Sequence, residues 1–257
     1  MKIVAALVAM AMVALTSAAH ADDHRPLRIG SEGAYPPFNS LDANGRLQGF
    51  DIDVANALCA QMNRTCEFVQ EDWDSIIPAL IANKYDMIAA AMSITDERRK
   101  WVAFSKPYAR SAISFATRRI ANIRDITPAA MKGRVIGAQA NTVSDRYLTA
   151  VYEPAGAIIR RYQTQQEAQL ELSSGRIDVI AAGKLFLYDW LTTKQGGCCV
   201  FAGDATTDGK YTGEGIAIAV RNDDKDLLNK LNAAMDAIVA NGTFKKINDK
   251  YYPFSVY

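Results

Sequence analysis

The residues that first suggest chemistry lie where an apolar segment ends. Residues 87–108 read MIAAAMSITDERRKWVAFSKPY, so a run of small and apolar side chains stops at Ser93 and a helix can begin soon after. Thr95 is a good N-cap, and the two acidic residues that follow it suit the positive end of a helix dipole. Arg98 does not suit that end, because its charge lies close to the unpaired N–H groups of the first turn.

This placement of Arg98 predicts an anion site. A guanidinium can hold a carboxylate through two parallel hydrogen bonds, and free amides near Ser93 can donate to the same group. The alternative is that Arg98 pairs with Glu97 or with another acid at the surface.

Strand-like and helix-like segments alternate along the chain and must position these residues. The first group has strand segments 27–30, 67–69 and 86–90, and helices that start near 51, 75 and 95, with Asp51 and Ser75 as predicted caps. The second group has strand segments 135–137, 158–162 and 177–181, and helices at 143–151, 164–174 and 184–192. The chain ends with a strand at 216–220 and helices at 224–240 and 243–250.

Such alternation predicts an α/β fold in which helices cover mostly parallel sheets. Two groups of similar size predict two lobes with a cleft between them. In open α/β sheets, ligands bind at the carboxyl ends of the strands, where helix N-termini point.

Residues 1–21 have the features of a secretory signal peptide. Lys2 precedes an apolar run, and Ala19-x-Ala21 is a small-residue cleavage site. The run is too short for a good membrane span, which disfavours the alternative of an uncleaved anchor. Cleavage would leave 236 of the 257 residues and take the formal net charge from +1 to zero. We therefore expect a protein outside the cytoplasm and no nucleic-acid partner, which would need a basic face.

Few side chains suit a histidine-dependent reaction or a metal. His20 leaves with the signal peptide and His24 lies at the new N-terminus, so neither a catalytic triad nor a histidine-ligated metal has a credible member. Four cysteines could form a thiolate site, but one adjacent pair and one wide pair is not zinc-ligand spacing. We expect no metal and no cofactor.

The cysteines fit an oxidising compartment. Cys59 and Cys66 would join the end of a helix to the next strand, with two separate buried thiols as the alternative. Cys198 and Cys199 are adjacent, and a vicinal disulfide is strained, so these two could be free or weakly paired.

Several motifs, in order and at matching spacing, resemble one family. They are GAYPPF (33–38), GFDID (49–53), WDxxIPxL (73–80), DxI (86–88), MSITxxR (92–98), FSxPY (104–108) and GRID (175–178). Together they resemble the bacterial extracellular solute-binding proteins of family 3, the polar amino-acid class. The closest branch is the lysine/arginine/ornithine- and histidine-binding proteins, with the opine-binding proteins beside it.

The resemblance implies a two-lobed clamshell joined by a two-segment hinge. Residues 22–111 and 216–257 would form the first lobe and 112–215 the second. It also implies a periplasmic monomer that binds a cationic amino acid or a derivative, and a partner, the membrane permease of an ATP-driven (ABC) importer.

The resemblance assigns roles at the carboxylate end of the ligand. Arg98 matches the arginine that binds the carboxylate, helped by the Ser93 amide and by Thr142 from the second lobe.

At the other end, Tyr35 and Trp73 match the two aromatic positions that enclose the ligand side chain, and Glu32 matches an acid that faces a distal cation. A desolvated cation gains roughly 0.5–2 kcal/mol on an aromatic face. The alternatives are ordinary core packing for the two rings and a solvated loop position for Glu32.

Two positions depart from the family pattern. The aspartate that usually holds the ligand α-ammonium is replaced by Gly183, and a helping serine is replaced by Ala91. An ammonium without an acceptor is costly in a closed cleft. Either another acid reaches in, with Asp189 as a candidate, or the ligand lacks a free primary α-ammonium, as in an opine, an N-substituted amino acid or a guanidino acid.

Two other functions use the same fold. A cyclohexadienyl-dehydratase-like enzyme would need a general acid in the cleft, and around Gly183 the second lobe offers Lys184 but no carboxylate. A ligand-presenting sensor component is the other alternative.

Overall fold

A computed structural model describes residues 25–257 of the chain. The predicted signal peptide, residues 1–21, lies outside these residues. Within them, the strands are β1 (Leu27–Ser31), β2 (Ala34–Tyr35), β3 (Asn39–Leu41), β4 (Leu47–Gln48), β5 (Cys66–Gln70), β6 (Met87–Ile88), β7 (Val102–Phe104), β8 (Ile113–Arg118), β9 (Val135–Gln139), β10 (Ile158–Tyr162), β11 (Val179–Gly183), β12 (Cys199–Thr206) and β13 (Ala219–Arg221).

The α-helices lie between and after these strands. They are α1 (Phe50–Gln61), α2 (Ile76–Ile81), α3 (Asp96–Arg99), α4 (Val143–Tyr147), α5 (Gln165–Ser173), α6 (Lys184–Thr192), α7 (Gly209–Thr212), α8 (Lys225–Ala240) and α9 (Thr243–Tyr251). A π-helical turn, Leu148–Tyr152, continues α4. None of the helices in the described part of the chain is long and apolar enough to cross a membrane.

Two five-stranded sheets form the framework, in the spatial orders β5–β1–β6–β13–β7 and β10–β9–β11–β8–β12. In each sheet four strands run the same way, while β13 and β8 are antiparallel to their neighbours. A small antiparallel sheet, β2–β3–β4, flanks the first large one. The prediction of an α/β fold with mostly parallel sheets is therefore confirmed.

The reversed strands follow directly from the chain path. Residues 105–112 connect β7 to β8, and residues 207–218 connect β12 to β13, so both segments cross between the sheets. A strand that starts at the crossing must run away from it, against its neighbours. The two segments also pair with each other, since Tyr108 N–H donates to Ile216 O and Ile216 N–H donates to Ala109 O, each at 2.8 Å.

The molecule thus has two lobes joined by two chain segments. The boundaries expected from the sequence, at 111/112 and 215/216, fall within these segments and stay a prediction. In the first lobe, α1 packs on α8 and α9. Its buried residues Phe50 and Leu58 join Leu231 of α8 in one apolar core.

Local details differ from the sequence expectations. Helix α1 begins at Phe50, so Asp51 is not its cap; Gly49 is, with φ 129° and a Cβ position that would lie 2.4 Å from Phe38 O. Asp51 turns inward instead.

Ser75 holds the predicted cap position of α2, but its hydroxyl donates to Glu71 Oε1 at 2.6 Å rather than accepting from the helix. The strand expected at 86–90 is limited to β6, because the chain turns left-handed at Ala91, with φ 48°.

A disulfide joins Cys59 at the end of α1 to Cys66 at the start of β5, closing a separation of 7 residues. Cys198 is exposed and Cys199 is buried, and both are free thiols. The covalent link fixes α1 against the edge strand of the first sheet.

Removal of this disulfide should destabilise the protein without removing a ligand contact. We expect the double variant Cys59→Ser/Cys66→Ser to lose about 2–3 kcal/mol of unfolding free energy, because the unfolded chain regains loop entropy. Urea denaturation of the variant and of Cys198→Ser would measure this. An equal loss in Cys198→Ser would contradict the assignment.

Candidate functional site

A cleft between the two sheets gathers the carboxyl ends of strands from both lobes. Strands β1 and β6 approach it from the first lobe, and β9 and β11 from the second. All eight sequence-predicted ligand residues line this cleft: Glu32, Tyr35, Trp73, Ala91, Ser93, Arg98, Thr142 and Gly183. Strand ends meet there as they do in other open α/β sheets.

Arg98 is buried at one end of the cleft, with 6% of its surface exposed. Thr95 caps α3 by accepting from Arg98 N–H, which places the side chain in the first turn. Its guanidinium donates to Ser93 O at 2.9 Å and to Asn141 O at 3.3 Å, and its Cζ lies 4.9 Å from the ring centroid of Trp73. Carbonyls and an aromatic ring therefore hold this cation in place.

Within residues 25–257, Arg98 has no carboxylate partner. The alternative that it pairs with Glu97 is wrong, because Glu97 accepts from Arg146 at 3.0 Å across the mouth of the cleft. Burial, and then the nearby charge of Arg146, lower the pKa of Arg98 to about 9. The guanidinium is still charged at neutral pH, so a buried positive charge faces the cleft without a counterion.

Backbone donors lie beside this guanidinium. Within the described part of the chain, the N–H groups of Ser93 and Thr142 make no hydrogen bond. The Thr142 hydroxyl is already used, since it donates to Gln139 O at 2.8 Å and caps α4 by accepting from Asp145 N–H at 3.2 Å. An acceptor in the cleft would therefore meet the amide of Thr142 rather than its hydroxyl.

Glu32 also lines the cleft and is 6% exposed, so the alternative of a solvated loop position is wrong. Gln139 Nε2 donates to Glu32 Oε1 at 2.5 Å across the two lobes. Burial raises the pKa of Glu32 to about 7; the amide of Gln139 opposes this, and the charges of Asp72 and Asp74 add to it. A cation beside Glu32 would offset both the cost of burying its negative charge and the repulsion from Asp72 and Asp74.

The two predicted aromatic residues occupy different surroundings. Tyr35 stacks on Phe186 of α6, with ring centroids 4.1 Å apart, and its Oη accepts from Gly183 N–H at 3.2 Å. Trp73 faces the Arg98 guanidinium instead. Both rings line the cleft, and each is also fixed by a protein neighbour.

The positions that depart from the family pattern are built into the cleft wall. A Cβ at Gly183 would lie 3.2 Å from both Ser111 Oγ and Tyr35 Oη, so a larger residue would crowd this corner. Ala91 is left-handed, and its N–H donates to Asp51 Oδ2 at 2.7 Å. Among the described residues lining the cleft, Glu32 is the one acid. Asp189 lies in a separate depression beside Pro36 and Trp190 and does not line the cleft.

Sequence reasoning missed several polar residues of the cleft, above all Gln139 and Gln165. Gln139 ends β9 and Gln165 begins α5, so position at a strand end or helix start was the signal that could have found them. Gln165 Oε1 accepts from Gln139 N–H at 3.0 Å, whereas its buried Nε2 has no partner. The cleft therefore offers a further unpaired donor.

The arrangement suits binding of a dipolar molecule. One cation, Arg98, and one carboxylate, Glu32, line the same cleft together with aromatic and amide side chains. No group of three or more histidine, cysteine or acidic side chains within residues 25–257 could hold a metal.

Comparison with known families now adds to this geometry. The model of the bacterial extracellular solute-binding proteins, family 3, matches residues 27–254. The chain belongs to family 3. The resemblance noted in the sequence is thereby confirmed.

Relatives and solved structures agree with family 3 membership. An L-arginine-binding protein of Pseudomonas aeruginosa is 43% identical over 100% of this chain and 99% of its own length. The ABC transporter arginine-binding protein 1 of Escherichia coli is 39% identical, over 88% and 90%. The structure of a Salmonella typhimurium periplasmic binding protein of high arginine specificity superposes with a TM-score of 0.82 at 31% identity, covering 89% of this chain and 99% of that one. The two-lobed clamshell fold is confirmed.

Burial of Glu32 should make stability depend on pH. Its pKa is about 7 in the folded protein and 4.5 ordinarily, so between these values the folded state binds more protons and stability falls as pH rises. We expect wild type to lose on the order of 2 kcal/mol relative to Glu32→Gln between pH 5 and pH 8. Urea denaturation of both proteins at the two pH values measures this difference; parallel pH curves would rule out a buried, titrating Glu32.

Proposed function

We propose that this chain is the periplasmic substrate-binding component of an ABC importer, and that it captures a cationic amino acid or a derivative of one. The observation that carries the proposal is the buried guanidinium of Arg98, which has no carboxylate partner within residues 25–257. A ligand carboxylate supplies the missing counterion, and the free amides of Ser93 and Thr142 supply further donors.

The opposite end of the cleft favours a positive group on the ligand. Glu32 is buried, and Asp72 and Asp74 add negative potential around it. A ligand with a carboxylate and a distal cation thus satisfies both ends. Two relatives are named as arginine-binding proteins, and these names support this class of ligand.

Binding should favour the closed arrangement of the lobes. Arg98 and Glu32 belong to the first lobe, whereas Thr142 and Gln139 belong to the second. A ligand that contacts both sides has a higher affinity for the closed state and therefore shifts the population towards it. Residues 1–21 would direct export of the protein to the periplasm. There the closed, ligand-bound monomer would deliver its ligand to the membrane permease.

The identity of the ligand depends on whether the cleft can pair with a free α-ammonium group. Arginine carries two cations, while Glu32 is the one acid among the described cleft residues. Gly183 and Ala91 provide no side-chain acceptor. An opine, another N-substituted amino acid or a guanidino acid would avoid a buried, unpaired ammonium. Plain arginine is the ligand that the names of the relatives favour.

Binding without chemistry is the function these features support. The relatives are named as binding proteins. The second lobe places no carboxylate at the cleft, which leaves a dehydratase-like reaction without a general acid beside Gly183.

Loss of Arg98 should abolish tight binding. We expect Arg98→Ala to weaken ligand affinity by roughly 2–5 kcal/mol, because a buried charge-assisted pair is lost. Arg99→Ala is the matched control: Arg99 is the next residue, is more exposed and pairs with Glu214 at 2.8 Å. Calorimetric titration of both variants distinguishes them, and equal affinity of Arg98→Ala and wild type would reject the proposal.

A ligand panel decides between the two ligand types. The protein would first be unfolded and refolded to remove carried-over ligand. It would then be titrated with L-arginine, L-lysine, octopine, nopaline and 4-guanidinobutyrate. Submicromolar binding of L-arginine or L-lysine would reject the requirement for a ligand without a free α-ammonium. Binding of only the other three would support it.

A further inference from the structure

Asp51 is a buried carboxylate that the cleft itself does not use. It is 0% exposed and lines no part of the cleft, although it lies directly behind it. Among the described residues its partners are three neutral hydrogen-bond donors and no cation. Burial raises its pKa to about 6, and three hydrogen bonds oppose that shift.

Three donors from separate parts of the chain converge on this carboxylate. Tyr108 Oη donates to Oδ1 at 2.6 Å. Asn39 Nδ2 and Ala91 N–H both donate to Oδ2, at 2.9 and 2.7 Å. Two of these donors cannot act as acceptors, so the contact needs an oxygen at this point.

Each donor belongs to a segment that carries part of the cleft. Asn39 Oδ1 accepts from Gly33 N–H at 2.9 Å, and Gly33 directly follows Glu32. Ala91 lies two residues before Ser93 and is held in its left-handed conformation at the hydrogen bond to Asp51.

The third donor lies in the crossing segment 105–112. Tyr108 N–H donates to Ile216 O of the other crossing segment at 2.8 Å. Asp51 thus joins the segment that carries Glu32, the segment that carries Ser93 and the connection between the lobes.

We propose that Asp51 is a positioning residue for ligand binding: it fixes the spacing between the Glu32 end and the Ser93–Arg98 end of the cleft. The expected effect on ligand affinity rests on the proposed function, whereas the expected effect on the positions of the two segments does not. Asp51 would act through the three groups that donate to it, since its carboxylate does not line the cleft.

This mechanism distinguishes two substitutions. In Asp51→Asn the amide oxygen can replace Oδ2 and accept from Asn39 and Ala91, while the new NH₂ group donates to Tyr108 Oη, whose own O–H loses the acceptor that Oδ1 provided. In Asp51→Ala, the buried donors of Asn39 and Ala91 lose their acceptor. Asn at position 51 should therefore preserve the cleft, and Ala should not.

Asp86 offers a matched control in the same lobe. It is also a buried carboxylate, 2% exposed, but it accepts from Arg25, Arg28 and the start of β1, at the strand ends opposite the cleft. Asp86→Ala should lower stability while leaving the cleft intact.

The experiment combines hydrogen exchange with calorimetry at pH 8, where Asp51 is ionised. In ligand-free Asp51→Ala, we expect the amides of Gly33 and Ala91 to exchange about tenfold faster or more, and affinity for L-arginine to fall about tenfold or more under conditions where circular dichroism shows the variant folded. Asp51→Asn should stay within about threefold of wild type in both measurements. Asp86→Ala should change neither.

Two results would overturn the proposal: unchanged exchange and affinity in Asp51→Ala, or an equal loss in Asp51→Asn. If Asp51→Ala does not fold, Asn39→Ala carries the same test, since it removes the link to Gly33. If wild type does not bind L-arginine, the proposed plain ligand fails, while the exchange measurement still decides the role of Asp51.

Discussion

A buried guanidinium without a counterion governs the chemistry of this protein. Removing a charge from water costs several kcal/mol unless the charge is paired and hydrogen-bonded. Two carbonyls and the ring of Trp73 hold the Arg98 side chain in place, but no carboxylate of the described residues pairs with it. In the proposed function, a ligand carboxylate would supply the missing counterion and offset part of this cost.

Glu32 presents a similar situation with a negative charge. Glu32 is buried against Gln139, and burial, with the charges of Asp72 and Asp74, raises its pKa. We propose that Arg98 and Glu32 together select a molecule that carries both a carboxylate and a cation. Because the proposed ligand contacts come from both lobes, we expect ligand binding to favour closure of the lobes.

The polar network behind the cleft gives this arrangement its precision. A ligand that bridges two fixed charges binds well only when their spacing matches its length. Asp51 collects donors from three segments that are distant in sequence, and left-handed Ala91 directs its N–H to the same carboxylate. Buried hydrogen-bond networks of this kind tend to fix a single conformation when every donor is satisfied.

The sequence by itself determined the features that depend on near neighbours: the alternation of strands and helices, the cap at Thr95, the disulfide between Cys59 and Cys66 and the motif set that identifies the family. It also placed eight residues that line one cleft, through the resemblance more than through local pattern. Only the tertiary structure decided which groups face each other. The capping residue expected at Asp51 turned inward, Asp189 faced away from the cleft, and Gln139 met Glu32 across 107 positions in the chain. Period and capping are set within a few residues, whereas a buried polar contact is set by how two lobes pack, which no local pattern encodes.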